Sequence, residues 1–438
     1  MAASSERPRP KPRVALVALG CRVSRGDADA VASALGDRVS IARDGERADV
    51  VVVNACTITA DADAAARQAI RRAAREHPGA RIVAAGCYAE LRPDVLAALP
   101  GVAAVVGARA QAEVAGTVAR LVGLGAPHGD AAGWGEAPLV LARHTRPFLK
   151  IQDGCDAHCS YCVVPLARGG SRSLHFDEAL RRLSLLGGRH TEVVLTGVHL
   201  GAYGRDLAPR RTLADLVRAA VAGGLRARLR LSSIEPPELP LDLLADPDVA
   251  PALCPHLHLP LQSGSDRLLS AMRRPYRAAG YRDVVLAAAR RLPGACVGAD
   301  VLTGFPGERE ADHRATVALV EALPLSYLHV FPFSPRPGTE AAALPGAVPA
   351  AVARARAAEL IALSERRWRG FLDGLRGREV EVVVERVKDG VARGTAREYA
   401  TVRWKAAPEA GDERGALARV RVEGHDGEVC EGVRIPVR

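Results

Sequence analysis

The chain has 438 residues, of which 48% are hydrophobic and 25% charged; that length exceeds the roughly 250–300 residues one core supports and points to two or three domains. The balance is that of a globular protein, and no uninterrupted apolar stretch reaches the roughly 18 residues that span a bilayer, which argues against a helical membrane protein. The net charge of +10 suits a nucleic-acid partner, but lysine occurs only at Lys11, Lys150, Lys388 and Lys405 and the arginine excess is spread along the chain, so charge alone fits simple solubility equally well.

The start, MAASSERPRPKPR, is polar and Pro-rich and lacks the apolar middle of a signal peptide. A cytosolic setting with reduced thiols is expected, in which the nine cysteines are ligands, nucleophiles or core fillers rather than disulfides. VALVAL (14–19), VVVVN (50–54), IVAAG (82–86) and VAAVVG (102–107) are short apolar runs separated by Ala/Arg helices such as 61–76. Strand and helix in alternation predict a parallel, Rossmann-like α/β domain over 13–122. The Gly/Ala/Pro-rich stretch that follows predicts a linker over 123–143.

A second series opens at Phe148: FLKIQ, EVVLTGV, LRLSS, HLHLPL, CVGADVLTGF and YLHVFPF, with helices between most of them. Six βα units over 144–372, ending in a helix at 350–372, predict a partial (βα)6 barrel with function at the C-terminal ends of its strands. The tail, 373–438, carries REVEVVVERV, YATVRW, ALARVRVEG and GVRIPVR and is expected to close as a small β-barrel.

Two groups of three cysteines carry chemistry. Cys155, Cys159 and Cys162 form C-x3-C-x2-C in QDGCDAHCSYC, just after the first barrel strand. Three thiolates on one loop can hold three irons of a [4Fe–4S] cluster and leave the fourth open to a substrate. Zinc is the alternative, although it prefers four ligands or three plus water, with His158 as a competing ligand in the loop. Cys21, Cys56 and Cys87 stand far apart in sequence, but each lies one to three residues past a strand, in LGC, NAC and AGC. Loops at those ends face one edge of a parallel sheet, so these thiols can converge on a second open cluster. A lone cysteine would be read as a small buried residue, as Cys254, Cys296 and Cys430 are.

The motif C-x3-C-x-aromatic-C resembles the signature of the radical S-adenosylmethionine superfamily. The resemblance implies that the open iron takes the amino and carboxylate groups of S-adenosylmethionine, that one electron cleaves the sulfonium to a 5′-deoxyadenosyl radical, and that Tyr161 lies against the adenine. From Arg13 to Arg438 the chain resembles the methylthiotransferase family, in which an N-terminal cluster handles the inserted sulfur and a second S-adenosylmethionine gives the methyl group. The tail resembles the TRAM domain, which grips tRNA. Among the branches of that family, LGCRVSRGDAD, NACTITADADAAARQAIRR, FLKIQDGCDAHCSYCVVPLARGGSRS, LTGVHLGAYG, RLSSIEP and HLHLPLQSGSD resemble the one acting on N6-threonylcarbamoyladenosine at position 37 of tRNA. Ser24, Arg25 and Leu166 depart from its pattern. The other branches act on isopentenyladenosine in tRNA or on a ribosomal-protein aspartate.

The expected partners are therefore tRNA, S-adenosylmethionine and an electron donor, with no membrane, and the expected cofactors are two [4Fe–4S] clusters. Near the ends of barrel strands, Thr196 and Gly197, Ser233 and Glu235, Gln262 and Ser263, and Asp300 and Gly304 are candidates to hold the cofactor by directed hydrogen bonds, though each alone could cap a helix or brace a loop. Arg67, Arg71 and Arg75 form one basic helix face, which fits phosphates or plain solvation. Arg168 and Arg172 are placed to meet RNA or a cofactor carboxylate, and Tyr399 and Trp404 are the tail's aromatics for base stacking. Two rivals stand beside the enzyme: a two-cluster electron carrier, which would close every iron with four ligands, and a zinc-stabilised RNA-binding protein.

Overall fold

The computed structural model describes residues 10–43, 45–125, 144–407 and 411–436. These form two compact units, Met1–Ala142 together with Leu166–Arg168, and Arg143–Pro165 together with Gly169–Arg438. Most of the expected linker, from residue 126 to 143, lies outside the described residues.

In the first unit, strands β1 (Arg13–Ala18), β2 (Ser40–Ile41), β3 (Val50–Ala55), β4 (Arg81–Gly86) and β5 (Val102–Gly107) form one parallel sheet in the order β2-β1-β3-β4-β5. Because side chains alternate across a strand, Val50 and Val52 enter a core with Val31, Leu35 and Val118, while Val51 and Val53 enter the opposite core with Ile70 and Ala73. Burial on both faces explains why these runs read as continuous rather than alternating. The helix Ala60–Glu76 starts where Thr59 accepts a hydrogen bond from Ala62 N at 3.1 Å, with Asp61 and Asp63 against the positive helix end. The two-residue β2 is too short to leave a sequence pattern.

The second unit begins with β6 (Phe148–Asp153), followed by β7 (Arg172–Ser173), β8 (Glu192–Gly197), β9 (Arg228–Leu231), β10 (His256–His258), β11 (Cys296–Thr303) and β12 (Tyr327–Pro332). The orders β7-β6-β8-β9 and β10-β11-β12 meet at the parallel bridge Ser233–His258. Six parallel strands thus curve into the expected partial barrel, with β7 added antiparallel at one edge. Helices return the chain between strands; Leu213–Ala222 is started by reciprocal hydrogen bonds between Thr212 and Asp215.

After the helix Ala350–Asp373, the tail strands β13 (Glu379–Lys388), β14 (Val391–Ala396), β15 (Thr401–Lys405), β16 (Leu417–His425) and β17 (Cys430–Arg434) close into a barrel in the order β13-β14-β15-β17-β16. Strand β14, absent from the sequence reading, carries Gly394, where an added Cβ would lie 2.0 Å from the Val383 carbonyl oxygen. A glycine inside a strand looks like a loop signal and here permits close backbone approach. Cys430 belongs to the barrel core, and Cys254 and Cys296 are likewise buried, as read.

The tail aromatics serve this packing rather than standing free for bases. Trp404 is buried and donates to Asp412 Oδ2 at 2.8 Å, while the Tyr399 ring stacks on His256 with centroids 4.0 Å apart. Beside them, Glu192 at the start of β8 accepts from Arg228 (2.8 Å) and Arg230 (2.7 and 3.1 Å), which in turn donate to the carbonyl oxygens of Thr395 and Ala396 in the tail. Among the described residues no helix is long and apolar enough to cross a membrane.

Candidate cluster and cofactor sites

In the first unit the three cysteines follow the C-terminal ends of the adjacent strands β1, β3 and β4. Cys21 precedes the helix Arg22–Leu35, and Cys87 opens the short helix Cys87–Leu91. Two glycines allow the loops to close in. A Cβ on Gly20 would lie 2.4 Å from Cys56 Cβ, and Gly86, at φ +93°, has Asn54 Oδ1 2.1 Å from where its Cβ would be. Burial, with the nearby Cys21 and Cys87 thiols adding to it, pushes Cys56 up to about 12. Burial raises Cys87 as well, opposed by Arg168.

Arg168 belongs to this unit and was expected to meet RNA or a cofactor carboxylate. It is instead buried, with Nε 3.1 Å from Cys87 Sγ and an ion pair to Asp27 at 2.8 Å. A buried guanidinium on a thiol stabilises the thiolate that a metal would bind. On the expected basic face, Arg67 donates to Tyr88 Oη at 2.7 Å, leaving Arg71 and Arg75 exposed.

In the second unit Cys155, Cys159 and Cys162 lie on the loop after β6. Gly154, at φ +70°, lets that loop pass the Gly170 carbonyl oxygen, which a Cβ would approach to 1.9 Å. Cys155 N donates to Gly169 O and Cys162 N to Cys159 O, both at 3.0 Å. The thiols also meet cationic or ring donors: Arg274 donates to Cys159 Sγ at 3.4 Å, and His199 Nδ1 lies 3.5 Å from Cys155 Sγ while its Nε2 lies 2.8 Å from Glu238. Burial pulls His199 down, but Cys155 and Glu238 outweigh it and hold the imidazole up to about 10. Burial pushes Cys162 up to about 12.

The spacing of the thiols discriminates between metals. Sulfurs on one tetrahedral zinc, with bonds of about 2.3 Å, sit roughly 3.8 Å apart. Among the described residues, His258, Asp300 and His329 are the only three groups brought together closely enough to hold one ion; neither cysteine trio is. His158, the competing ligand, is exposed. Both trios fit a larger polynuclear cluster better than a single ion, and each leaves a cluster one protein ligand short.

The expected cofactor contacts separate into braces and available groups. Ser263 is spent on Thr316 and Ser265, and Gly304 N donates to Glu308 at 2.6 Å. Glu235 pairs with Arg274, and Ser233 Oγ lies 2.7 Å from His258 Nδ1. Gln262 adopts φ +66° and donates its backbone N–H to Asp300 O. Gly197 abuts Gln152, where a Cβ would find 2.9 Å to Oε1. Thr196 Oγ1 is buried without a hydrogen bond, a group ready for a ligand. Tyr161 packs against Leu268, Met272, Leu302 and Phe305, with its hydroxyl 3.4 Å from Arg274. Arg172 pairs with Asp153 at 3.3 Å. Sequence reading missed Arg274, Glu238 and His199 as site residues; only His199 left a trace, inside GVHLGAYG.

Comparison with known proteins agrees with this layout. Residues 13–107 match the uncharacterized protein family UPF0004, and residues 149–320 the radical SAM superfamily. A threonylcarbamoyladenosine tRNA methylthiotransferase MtaB of Aquifex aeolicus is 34% identical over 85% of this chain and 92% of its own length, and the Bacillus subtilis protein of that name is also 34% identical, over 85% and 84%. A tRNA-2-methylthio-N(6)-dimethylallyladenosine synthase of Leifsonia xyli is 33% identical over 92% and 78%. In fold, the radical S-adenosylmethionine methyltransferase TsrM of Kitasatospora setae matches with a TM-score of 0.55 at 16% identity, covering 76% of this chain and 77% of that one. By its domains and relatives, the chain belongs to the radical S-adenosylmethionine tRNA methylthiotransferases, transferases that use a [4Fe–4S] cluster and S-adenosylmethionine.

Proposed function

We propose that this protein converts N6-threonylcarbamoyladenosine at position 37 of tRNA into its 2-methylthio derivative, with one [4Fe–4S] cluster on Cys155, Cys159 and Cys162 and a second on Cys21, Cys56 and Cys87. The observation that carries the reading is the second three-thiol site at the ends of β1, β3 and β4, outside the radical domain, since sulfur insertion needs a sulfur-handling centre separate from the one that makes the radical. When bound, the first cluster supplies the electron that cleaves S-adenosylmethionine to the 5′-deoxyadenosyl radical. Around it, Arg274 and His199 present donors to two of the thiolates, Glu238 orients His199, and Thr196 offers a buried hydroxyl to the cofactor. In the first unit, Arg168 does for Cys87 what Arg274 does for Cys159. An external electron donor and a cytosolic, reducing setting complete the reading.

The substrate branch is supported by the names of the Aquifex and Bacillus relatives. The dimethylallyladenosine reading is kept because relatives of that name match at nearly the same identity. Mass spectrometry of nucleosides from total tRNA, with and without the gene, separates them. Loss of methylthio-threonylcarbamoyladenosine with accumulation of its unthiolated precursor is expected. Loss of the methylthio-isopentenyl nucleoside instead would move the protein to the other branch, and no change in either would refute a tRNA substrate.

A further inference from the structure

Inside the partial barrel, away from both cysteine trios, one cluster has the make-up of a mononuclear metal centre. His258 ends β10, Asp300 lies midway along β11, and His329 stands beside Asp300 in register on β12. His258 Nε2 is 3.2 Å and His329 Nδ1 3.4 Å from the same Asp300 oxygen, Oδ1, and all three ligand atoms lie within 4.8 Å of one another. Donor atoms on a tetrahedral zinc with bonds of about 2.0–2.1 Å lie roughly 3.3–3.4 Å apart. The cluster therefore has the dimensions of one ion.

Two details separate it from an ordinary ion pair. Ser233 Oγ, 2.7 Å from His258 Nδ1, fixes the imidazole and turns Nε2 towards Asp300 and His329, the outer support that metal-binding histidines receive. Nε2 itself is buried and faces the Asp300 carboxylate at 3.2 Å, the same oxygen that His329 approaches. Two ring nitrogens converging on one carboxylate oxygen in a largely buried setting form a donor set that a cation between the three atoms would satisfy together.

We propose that His258, Asp300 and His329 bind a divalent cation of the zinc class, with a further coordination position open to the barrel interior. Two imidazoles and one carboxylate form the donor set of an open, three-ligand site. This assignment takes Asp300 out of the set of S-adenosylmethionine contacts and into an ion site of its own.

The test uses the holoenzyme with its clusters reconstituted anaerobically, so that the six cysteines are occupied. It is dialysed against Zn2+, and zinc is counted by mass spectrometry and its ligands read by X-ray absorption at the zinc edge. Expected are one zinc per chain, a first shell of nitrogen and oxygen at about 2.0–2.1 Å, and at least about tenfold weaker binding in His329→Ala, the loss of one ligand bond being worth about 1.4 kcal/mol or more. His329 is 48% exposed, so its replacement leaves the packing intact; His258→Ala is the second variant. A sulfur shell near about 2.3 Å, no retained zinc, or unchanged binding in His329→Ala would overturn the proposal.

Discussion

Glu192→Ala is expected to destabilise the second unit by about 3–5 kcal/mol, because breaking a buried ion pair leaves uncompensated charge behind. Glu192 is fully buried and accepts from the buried Arg228 and Arg230 and from Arg146 at 3.3 Å. A second route gives a similar size. Burial works to raise the Glu192 carboxyl, but Arg230, Arg228 and Arg146 outweigh it and hold it from 4.5 down to about 2, a linkage of about 3 kcal/mol. The folded-state value is depressed, so this contribution is full above about pH 4.5 and fades as pH falls towards 2. Urea denaturation of the apoprotein at neutral pH, followed by tryptophan fluorescence, is suitable because Trp404 and Trp368 both pack into the tail core. Glu192→Gln, which keeps hydrogen-bond acceptors without the charge, should fall between wild type and Glu192→Ala. A loss below about 1 kcal/mol in Glu192→Ala, within the range of exposed pairs, would refute the argument.

Cys159→Ala should abolish 5′-deoxyadenosine production while sparing the cluster of the first unit, leaving about half the iron by analysis; unchanged deoxyadenosine would refute the ligand assignment. Gly86→Ala forces a side chain into a left-handed conformation 2.1 Å from Asn54 Oδ1, so a cost of about 1–3 kcal/mol and loss of the first unit's iron are expected. Arg168→Met removes the buried ion-pair partner 2.8 Å from Asp27; about 3–5 kcal/mol should be lost, and adding Asp27→Asn should restore much of it in a double-mutant cycle. Arg274→Met removes a cationic donor from Cys159 and should lower the reduction potential of that cluster by about 60 mV, a tenfold change for one electron, in a titration followed by electron paramagnetic resonance.

Legibility in the sequence followed chemistry and periodicity. VVVVN and CVGADVLTGF announced buried parallel strands because nearly every residue of both is covered, the first by helices on its two faces, and the three strand-then-cysteine repeats pointed to Cys21, Cys56 and Cys87 because strand order turns sequence distance into proximity. The tail strand around Gly394 was hidden, since a residue chosen for backbone approach carries no β signal. Arg168, singled out but expected to meet RNA or a carboxylate ligand, and Arg274, not singled out, hid their true partners for a different reason. An arginine that neutralises a buried thiol looks like any surface arginine in a chain with 60 basic residues. His258 and His329 sat within strands already read as core, where two histidines from distant segments give no hint of sharing Asp300.

The stacking of Tyr399 on His256 gives the tail barrel a second duty. His256 and Tyr327 begin β10 and β12, and Glu192 and Arg228 begin β8 and β9, so the tail covers the N-terminal mouths of these strands. The partial barrel is thereby covered at that end. A protein lacking its last 60 or so residues would bare to water a layer that is now buried, His256 and the Glu192, Arg228 and Arg230 ion pairs at the starts of these strands.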